Sequence, residues 1–229
     1  MDEDLRLAIY DAFARTGAPP PLARLVEIAG DATTLARTLE ALAAARHLAL
    51  DPDGSIALAH PFASRSFGFS VMSSTTLWWG GCAWDSFAIP HLVESASDVL
   101  VATRCPACDR PLAWVVGRTA PPEGPEVAHF LVPVREMWND VIHACSNQRL
   151  FCDSACIDRY LAANRLVEGT RLSLPELWRL ASRWYEGRLA RGYQRRAPAQ
   201  AEAYFRSCGL DGPFWQARIL SAPSSVPST

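Results

Sequence analysis

The chain has 229 residues, of which 49% are hydrophobic and 20% charged, and its formal net charge at neutral pH is −2. This composition is typical of a globular protein with one large domain or two small ones. All 22 basic residues are arginine, and the small net charge gives no general attraction to nucleic acid. The acidic first residues and the absence of a long apolar run predict no secretory signal and no membrane span, so we expect a cytoplasmic protein.

Residues 1–62 have the pattern of a winged-helix-like domain. Apolar spacing and turn residues predict, in chain order, helices over 4–14, from Leu22 and over 32–46, and a hairpin over 48–58. A winged helix that reads DNA normally presents a basic patch, but the candidate recognition helix offers only Arg37 beside Glu40. We therefore expect a structural domain and regard DNA as an unlikely partner.

The rest of the chain predicts a mixed α/β catalytic domain over residues 74–220, joined by an extended linker over 63–73, so that the fold class is α+β. Its predicted elements are a helix over 82–93, strands over 99–103, 112–116 and 128–132, and helices over 153–164 and 174–193. Residues 139–151 fit helix or strand equally well. The Pro- and Ser-rich residues 221–229 are predicted to be a disordered tail.

Four of the seven cysteines form two closely spaced pairs. Cys105 and Cys108 lie in the predicted turn between two strands, and Cys152 and Cys156 lie at the start of a predicted helix. A zinc knuckle that faces a helix N-terminus is the arrangement of a treble-clef site, and four thiolates leave no open position on the metal. The pattern predicts a structural zinc ion and no organic cofactor. Iron, or buried and redox-active cysteines without metal, are the alternatives.

Cys82, Asp85 and Cys145 form a second set with different chemistry. Cys82 and Asp85 are one turn apart on one face of a predicted helix, and a thiol near a helix N-terminus is expected to have a lowered pKa. Asp85 can take a proton from a thiol and return it to a leaving group. Cys145 is distant in the sequence, and only folding can bring it near. A buried, purely apolar role is the alternative for these cysteines.

These residues resemble the catalytic motifs of the organomercurial (alkylmercury) lyases. The stretch Trp79-Gly80-Gly81-Cys82-Ala83-Trp84-Asp85-Ser86-Phe87-Ala88-Ile89-Pro90 is similar to that family's first motif, and Cys145, six residues before Phe151, is similar to its second catalytic cysteine. The likeness spans about residues 1–190. It implies a lyase in which the two cysteines bind the mercury of a small organometallic substrate and Asp85 delivers a proton to carbon. Cellular thiols would then remove the product.

The chain departs from that family in its second cysteine pair, Cys152 and Cys156, so the resemblance implies that the zinc site is an addition. Three tryptophans near the motif can form an apolar wall for the substrate or simply pack in the core: Trp78, Trp79 and Trp84. Residues read as structural or without a role are His47, His60, His129 and Cys208.

Three other functions stay open. One is a relative on the same scaffold that acts on a different substrate. Another is a metal-responsive winged-helix regulator, in which Cys82 and Cys145 are sensor ligands and DNA is the partner. The third is a hydrolase that uses one of these cysteines with His91 or His143, although no motif supports it.

Overall fold

The computed structural model describes residues 2–217, which form a mixed α+β fold. The α-helices of this part of the chain are α1 (Glu3–Thr16), α2 (Leu22–Ala29), α3 (Ala32–Ala44), α4 (Ala83–Leu92), α5 (Val141–Ser146), α6 (Ser154–Asn164), α7 (Leu174–Ser182) and α8 (Pro198–Ser207). The strands are β1 (Ala49–Leu50), β2 (Ile56–Ala59), β3 (Phe62–Ala63), β4 (Ser70–Met72), β5 (Leu77–Gly80), β6 (Asp98–Arg104), β7 (Pro111–Gly117), β8 (Val127–Phe130), β9 (Gln148–Phe151) and β10 (Thr170–Ser173). The predicted α+β class is therefore confirmed.

Two antiparallel sheets organise the fold. The larger has seven strands in the order β1-β2-β3-β5-β4-β6-β7, and the smaller has three in the order β10-β8-β9. The larger sheet runs without a break from the N-terminal hairpin into the second half of the chain, because Phe62 of β3 pairs with Gly80 of β5. The extended residues predicted over 63–73 contain β4, which pairs with both β5 and β6. The domain boundaries at residues 62 and 73 stay predictions.

The N-terminal helices form where capping residues allow them. Asp2 and Asp31 accept hydrogen bonds from backbone N–H groups at the starts of α1 and α3, respectively. Gly17 ends α1 with a φ of 75°, and a Cβ there would lie 1.9 Å from the carbonyl oxygen of Leu77. Only glycine therefore lets α1 approach β5 so closely. Phe13 of α1 stacks on Phe62 with 5.8 Å between ring centroids, which joins the helices to the sheet.

Helix α4 is the central element of the core. Its residues from Ala83 to Pro90 are all buried, so it is apolar on every side rather than amphipathic. Strand β5 ends shortly before Cys82, and α4 begins directly after it. Helix α7 packs against α4. A buried helix of this kind can hold its N-terminal residues in a fixed position relative to the sheet.

One segment differs from the sequence prediction, and the structure assigns another that the sequence left ambiguous. The helix predicted over 174–193 ends at Ser182, and the following residues form tight turns that include Gly187 and Gly192, both with positive φ. These turns bury Tyr185 and Arg188. The ambiguous segment 139–151 divides into α5 and β9, with Cys145 on the helix.

The predicted tail over 221–229 and the last residues of the predicted catalytic domain, 218–220, lie outside the described residues. No helix between residues 2 and 217 is long and apolar enough to cross a membrane.

Candidate active site

Cys82 and Asp85 are fixed at the junction between β5 and α4. Cys82 is the N-cap of α4, and its Sγ accepts a hydrogen bond of 3.3 Å from the backbone N–H of Asp85. The double glycine before it makes room for the acid, since a Cβ on Gly81 would lie 2.5 Å from Oδ2 of Asp85. A Cβ on Gly80 would likewise lie 2.1 Å from Oγ of Ser86. The spacing Gly-Gly-Cys-x-x-Asp therefore places a thiol and a carboxylate side by side.

Folding brings Cys145 to the same place. It lies near the end of α5, a short helix whose N-cap, Asp140, accepts a hydrogen bond from the backbone N–H of His143. The side chains of Cys82 and Cys145 line the same cavity, each shifts the pKa of the other, and the two residues are only 2% and 6% exposed. The two sulfurs predicted to act together are therefore neighbours in a buried site.

Both thiols are held in the protonated form. Burial raises the pKa of Cys82 well above its ordinary value, and the hydrogen bond with Cys145 and the negative charge of Asp85 raise it further. The hydrogen bond with Cys82 lowers the pKa of Cys145, but burial and Asp85 outweigh it and leave that pKa raised. The lowered thiol pKa expected from the helix N-terminus does not occur, because burial opposes the thiolate more strongly.

Two residues not predicted for the site surround the Asp85 carboxylate. The hydroxyl of Tyr185 donates a 2.5 Å hydrogen bond to Oδ1 of Asp85. Nδ1 of His60 lies 3.3 Å from Oδ2, but without the angles of a hydrogen bond, so within residues 2–217 Oδ2 and both ring nitrogens of His60 lack a hydrogen-bond partner. One carboxylate oxygen is thus anchored, and the other is free to exchange a proton.

A buried network behind Tyr185 connects the site with the N-terminal helices. The guanidinium of Arg188 donates two hydrogen bonds to the hydroxyl of Tyr10, at 3.0 and 2.8 Å, and one to the carbonyl of His47. Arg6 of α1 donates to the carbonyl of Arg188 at 2.8 Å. Because these groups are buried, the N-terminal residues fix the turn that carries Tyr185.

A cavity of about 180 Å³ opens onto these groups. Besides the thiols and Asp85, its walls contain aromatic and arginine side chains: Trp84, Trp138, Trp184, Phe205, Arg46, Arg188, Arg195 and Arg196. Of the three tryptophans considered from the sequence, Trp84 lies in this wall and stacks near Trp184, at 4.8 Å between centroids. Trp78 instead packs under α1, with Nε1 donating to the carbonyl of Phe13, and Trp79 is half-buried away from the described walls.

The other four predicted cysteines also meet. Cys105 and Cys108 lie in the β6–β7 turn, while Cys152 follows β9 and Cys156 lies in the first turn of α6. Their sulfurs are within 4.8 Å of one another, with 3.5 Å between those of Cys108 and Cys152. This is a cluster that can hold a metal ion, and none of its members lies in the described walls of the cavity.

The thiols of this cluster differ in acidity. Burial raises the pKa of Cys105, but the backbone N–H groups of Cys152, Ala107 and Cys108 outweigh it and bring that pKa to about 7. Burial and the neighbouring thiols raise the pKa of Cys152 to about 12 and that of Cys156 to about 11. A metal cation at the centre of the cluster would stabilise all four thiolates and offset the repulsion between their negative charges.

The remaining residues of the sequence analysis have ordinary surroundings. Nε2 of His129 accepts from the backbone N–H of Gly169, and Cys208 is buried with its Sγ 3.5 Å from the carbonyl of Arg179. His91 packs edge-on against Trp178, and His143 is exposed on α5. Neither histidine lines the described cavity walls, so the structure does not bring His91 or His143 to Cys82 or Cys145 as the hydrolase alternative required.

Comparison with known proteins agrees with this geometry. The sequence model of a family described as alkylmercury lyase (MerB) matches residues 62–186, which is more than half of the chain and contains both cysteine sets. Among solved structures, the chain is similar to the mercury-bound form of MerB2, with a TM-score of 0.61 and 13% identity over 79% of this chain and 89% of that one. This likeness shows a shared fold. No curated protein matches the chain.

Proposed function

Because the chain belongs to the alkylmercury lyase family, whose members cleave carbon–mercury bonds in small organomercurials, we propose that it performs this reaction by protonolysis. The observation that carries the proposal is the meeting of Cys82, Cys145 and Asp85 at one buried cavity. Two thiols and one carboxylate are the groups that such a reaction needs. The structure of a mercury-bound MerB2, similar in fold, supports the same reading.

The first step would be capture of the mercury. An organomercury cation, R–Hg⁺, reaches the cavity bound to a small thiol, and one cysteine sulfur replaces that thiol on mercury. The released thiol carries away the proton that the cysteine loses. Mercury is a soft ion that prefers sulfur, and a thiolate bound to it remains deprotonated even where burial opposes a free thiolate. Capture therefore overcomes the raised pKa of both cysteines.

The second step would use Asp85 as a base and then as an acid. The remaining cysteine gives its proton to Oδ2 of Asp85 and bonds to mercury, so that two sulfurs donate electrons to the metal. The electron pair of the Hg–C bond then takes the proton from Asp85. The products are R–H and Hg(II) held by Cys82 and Cys145, and the Asp85 carboxylate is regenerated. No oxidant or reductant is required.

Tyr185 and His60 would act on Asp85 rather than on mercury. The hydrogen bond from Tyr185 fixes Oδ1, which leaves Oδ2 as the oxygen that carries the proton. His60 lies beside that oxygen and limits its movement. Holding an acid within proton-transfer distance of the bond that breaks is a large part of its catalytic contribution.

Cellular thiols would complete the cycle. Hg(II) on two buried sulfurs is bound strongly, so release requires exchange with two external thiols, which transfer their protons back to Cys82 and Cys145. The cavity is open enough to admit a small ligand. This proposal makes external thiol a requirement for turnover, although a single turnover can occur without it.

The four-cysteine cluster would bind a structural zinc ion. Four sulfurs from a hairpin turn and a helix N-terminus suit a closed tetrahedral site, as in a treble clef. The cluster joins the β6–β7 hairpin to the segment that follows Cys145, through β9. Zinc there would fix β9 and α6, and so stabilise the part of the fold that carries the second catalytic cysteine.

The N-terminal residues 1–62 would form a winged-helix-like unit with a structural role. Its residues Arg6, Tyr10 and His47 bind the turn around Arg188, so the unit contributes to the placement of Tyr185. Arg37, the basic residue of the candidate recognition helix, is exposed, and its guanidinium donates a hydrogen bond to the hydroxyl of Thr34. These contacts favour support of the catalytic site over DNA binding.

The direct test is to incubate the protein with phenylmercury and excess thiol and to measure benzene. We expect catalytic release by the wild type and no release above background by Cys82→Ser or Cys145→Ser. A folded wild type that captures phenylmercury but releases no benzene would overturn the proposal.

A further inference from the structure

The cavity contains two arginines with no anionic partner. The guanidinium groups of Arg46 and Arg195 form neither an ion pair nor a hydrogen bond to any other residue within 2–217, and Met1 and residues 218–229 contain no aspartate or glutamate. By contrast, Arg196 donates to the carbonyls of Trp184 and Arg183. Arg135 pairs with Glu136, and Arg188 is bonded to Tyr10. The free guanidinium groups are therefore confined to one part of the wall.

Trp138 holds these two guanidinium groups together. The guanidinium carbon of Arg195 lies 4.5 Å from the centre of the Trp138 ring, and that of Arg46 lies 5.7 Å from it. Stacking on an aromatic ring orients a guanidinium without using its N–H donors. Both sets of donors thus stay available to a ligand in the cavity.

The backbone conformation of Arg46 is energetically unfavourable for an arginine. Arg46 follows α3 with a φ of 61°, a left-handed conformation that glycine or asparagine normally supplies at the end of a helix. An arginine there is less stable than glycine, yet it directs a charged side chain to the cavity wall. Such local strain is characteristic of functional positions.

The positive charges in this part of the wall are not balanced by neighbouring negative charges. Burial, together with repulsion from Arg188 and Arg46, lowers the pKa of Arg195 from 12.5 to about 10. Among the described wall residues, the only carboxylate is that of Asp85, which is already bonded to Tyr185. An anion in the cavity would relieve the repulsion and accept hydrogen bonds from two preoriented guanidinium groups.

We propose that Arg46 and Arg195 form a carboxylate-binding subsite that gives this enzyme a preference for anionic organomercurials. The proposal rests on the lyase function proposed above and specifies its substrate class. The carboxylate can belong to the organic group that is cleaved from mercury or to the thiol that carries the mercury into the site. Either arrangement places one negative charge beside Trp138 while mercury meets Cys82 and Cys145.

The test compares matched substrates. For the organic group, kcat/KM is measured for 4-(hydroxymercuri)benzoate and for phenylmercury, with 2-mercaptoethanol in excess. For the thiol, phenylmercury is used with 3-mercaptopropionate or with 2-mercaptoethanol. We expect a preference of about tenfold or more for the carboxylate in at least one comparison, as is typical of a charge-assisted hydrogen bond. Which comparison shows it identifies the source of the carboxylate.

The variants are chosen so that misfolding cannot explain the result. Arg46→Gly suits the left-handed backbone and is expected to keep the fold, while Arg195→Gln removes the second charge. Both should reduce the preference to near unity, and Arg195→Lys should retain part of it. Arg37→Gln, an exposed arginine on α3, is the control and should leave the preference unchanged.

The outcomes separate the two proposals. A wild-type preference near unity in both comparisons, or a preference that survives Arg46→Gly and Arg195→Gln, would overturn the subsite. Absence of benzene and benzoate from every substrate would instead overturn the lyase function. In that case the rate of mercury capture by the cysteines, followed by mercaptide absorbance, still tests the subsite, since a faster capture of the benzoate that depends on Arg195 supports it and equal rates contradict it.

Discussion

The hydroxyl of Tyr185 donates a 2.5 Å hydrogen bond to Oδ1 of Asp85, a residue 100 positions earlier in the chain. Burial, with the negative charge of Asp85, raises the pKa of Tyr185 well above its ordinary value. The tyrosine is therefore protonated, and a hydrogen-bond donor, around neutral pH. This contact links two segments that are distant in the chain, and it anchors one oxygen of the carboxylate while the other stays free.

Replacement of Tyr185 by phenylalanine removes only the hydroxyl. We expect kcat to fall about tenfold, because the carboxylate loses its anchor, while KM changes little because mercury binds the cysteines. The measurement is steady-state benzene release across pH 6 to 9. Since the wild-type hydroxyl does not ionise in that range, the loss should be similar at each pH. An unchanged kcat would show that Asp85 is positioned by other contacts.

Replacement of Gly81 by alanine should displace the proton carrier. The added Cβ would lie 2.5 Å from Oδ2 of Asp85 and 3.0 Å from Cδ2 of Leu58, so the carboxylate must move. We expect activity to fall at least about tenfold, with a stability loss on the order of 1–3 kcal/mol. Benzene release and urea unfolding measure the two effects.

Gly54→Ala is the matched control for this substitution. Gly54 has a φ of 82° and open space around it, so alanine there strains the backbone without touching the site. Stability should fall while the activity of the folded protein stays the same. Equal activity losses in Gly54→Ala and Gly81→Ala would attribute the effect to general destabilisation.

One buried histidine, His47, and one half-buried histidine, His91, predict how stability depends on pH. Burial, with nearby arginine charges, lowers the pKa of His47 and of His91 from the ordinary 6.5 to about 4 in the folded protein. The unfolded chain therefore binds more protons between pH 6.5 and 4, and the free energy of unfolding should decrease as the pH falls through that range. Each histidine can contribute about 3 kcal/mol of this loss by pH 4.

Urea unfolding at several pH values tests this expectation. His91→Phe should make the decrease between pH 6.5 and 4 less steep, because the unfolded chain then has one proton fewer to gain. His143→Gln, at an exposed position on α5, is the control and should leave the slope unchanged. A slope that is the same in all three proteins would contradict the role of His91.

If the four-cysteine cluster binds a structural zinc ion, loss of that ion should lower the stability of the protein without abolishing the reaction. Cys152→Ser removes one of four ligands, so bound zinc should fall from about one ion per chain to nearly none. We expect the Tm to drop by several degrees while protein that remains folded still releases benzene. Metal analysis and thermal unfolding, with Cys208→Ser as a buried cysteine outside the cluster, provide the comparison. Full zinc content in Cys152→Ser would exclude the assignment.

Local sequence patterns predicted much of the site. The double glycine before Cys82 predicts that a helix begins there, with Asp85 one turn later on the same face, although strand β5 before it was not predicted. The pairs Cys105/Cys108 and Cys152/Cys156 have spacings that suit one metal, and the structure brings all four sulfurs together. Such features depend on residues that are near one another in the chain.

Contacts between segments that are distant in the chain could not be predicted from local sequence patterns. In the chain, His60 precedes the helix that carries Asp85, and Tyr185 follows it by many residues. No spacing rule connects either residue to Asp85. Apolar residues continue at helical intervals past Ser182 to Trp184, which is why a helix to residue 193 was expected. Burial of Arg188 among Tyr10 and the carbonyl of His47 overrides that local preference, since an arginine cannot be buried without hydrogen bonds.

The most direct test of the account is a single-turnover experiment with Asp85→Asn. Wild-type protein and the variant are each mixed with less than one equivalent of phenylmercury, and both mercury bound to Cys82 and Cys145 and benzene released are measured. If Asp85 transfers the proton, the variant will capture phenylmercury through a cysteine sulfur and release almost no benzene, while the wild type releases one benzene per mercury bound. Benzene release by Asp85→Asn at the wild-type rate would contradict the account, because the proton would then come from another group.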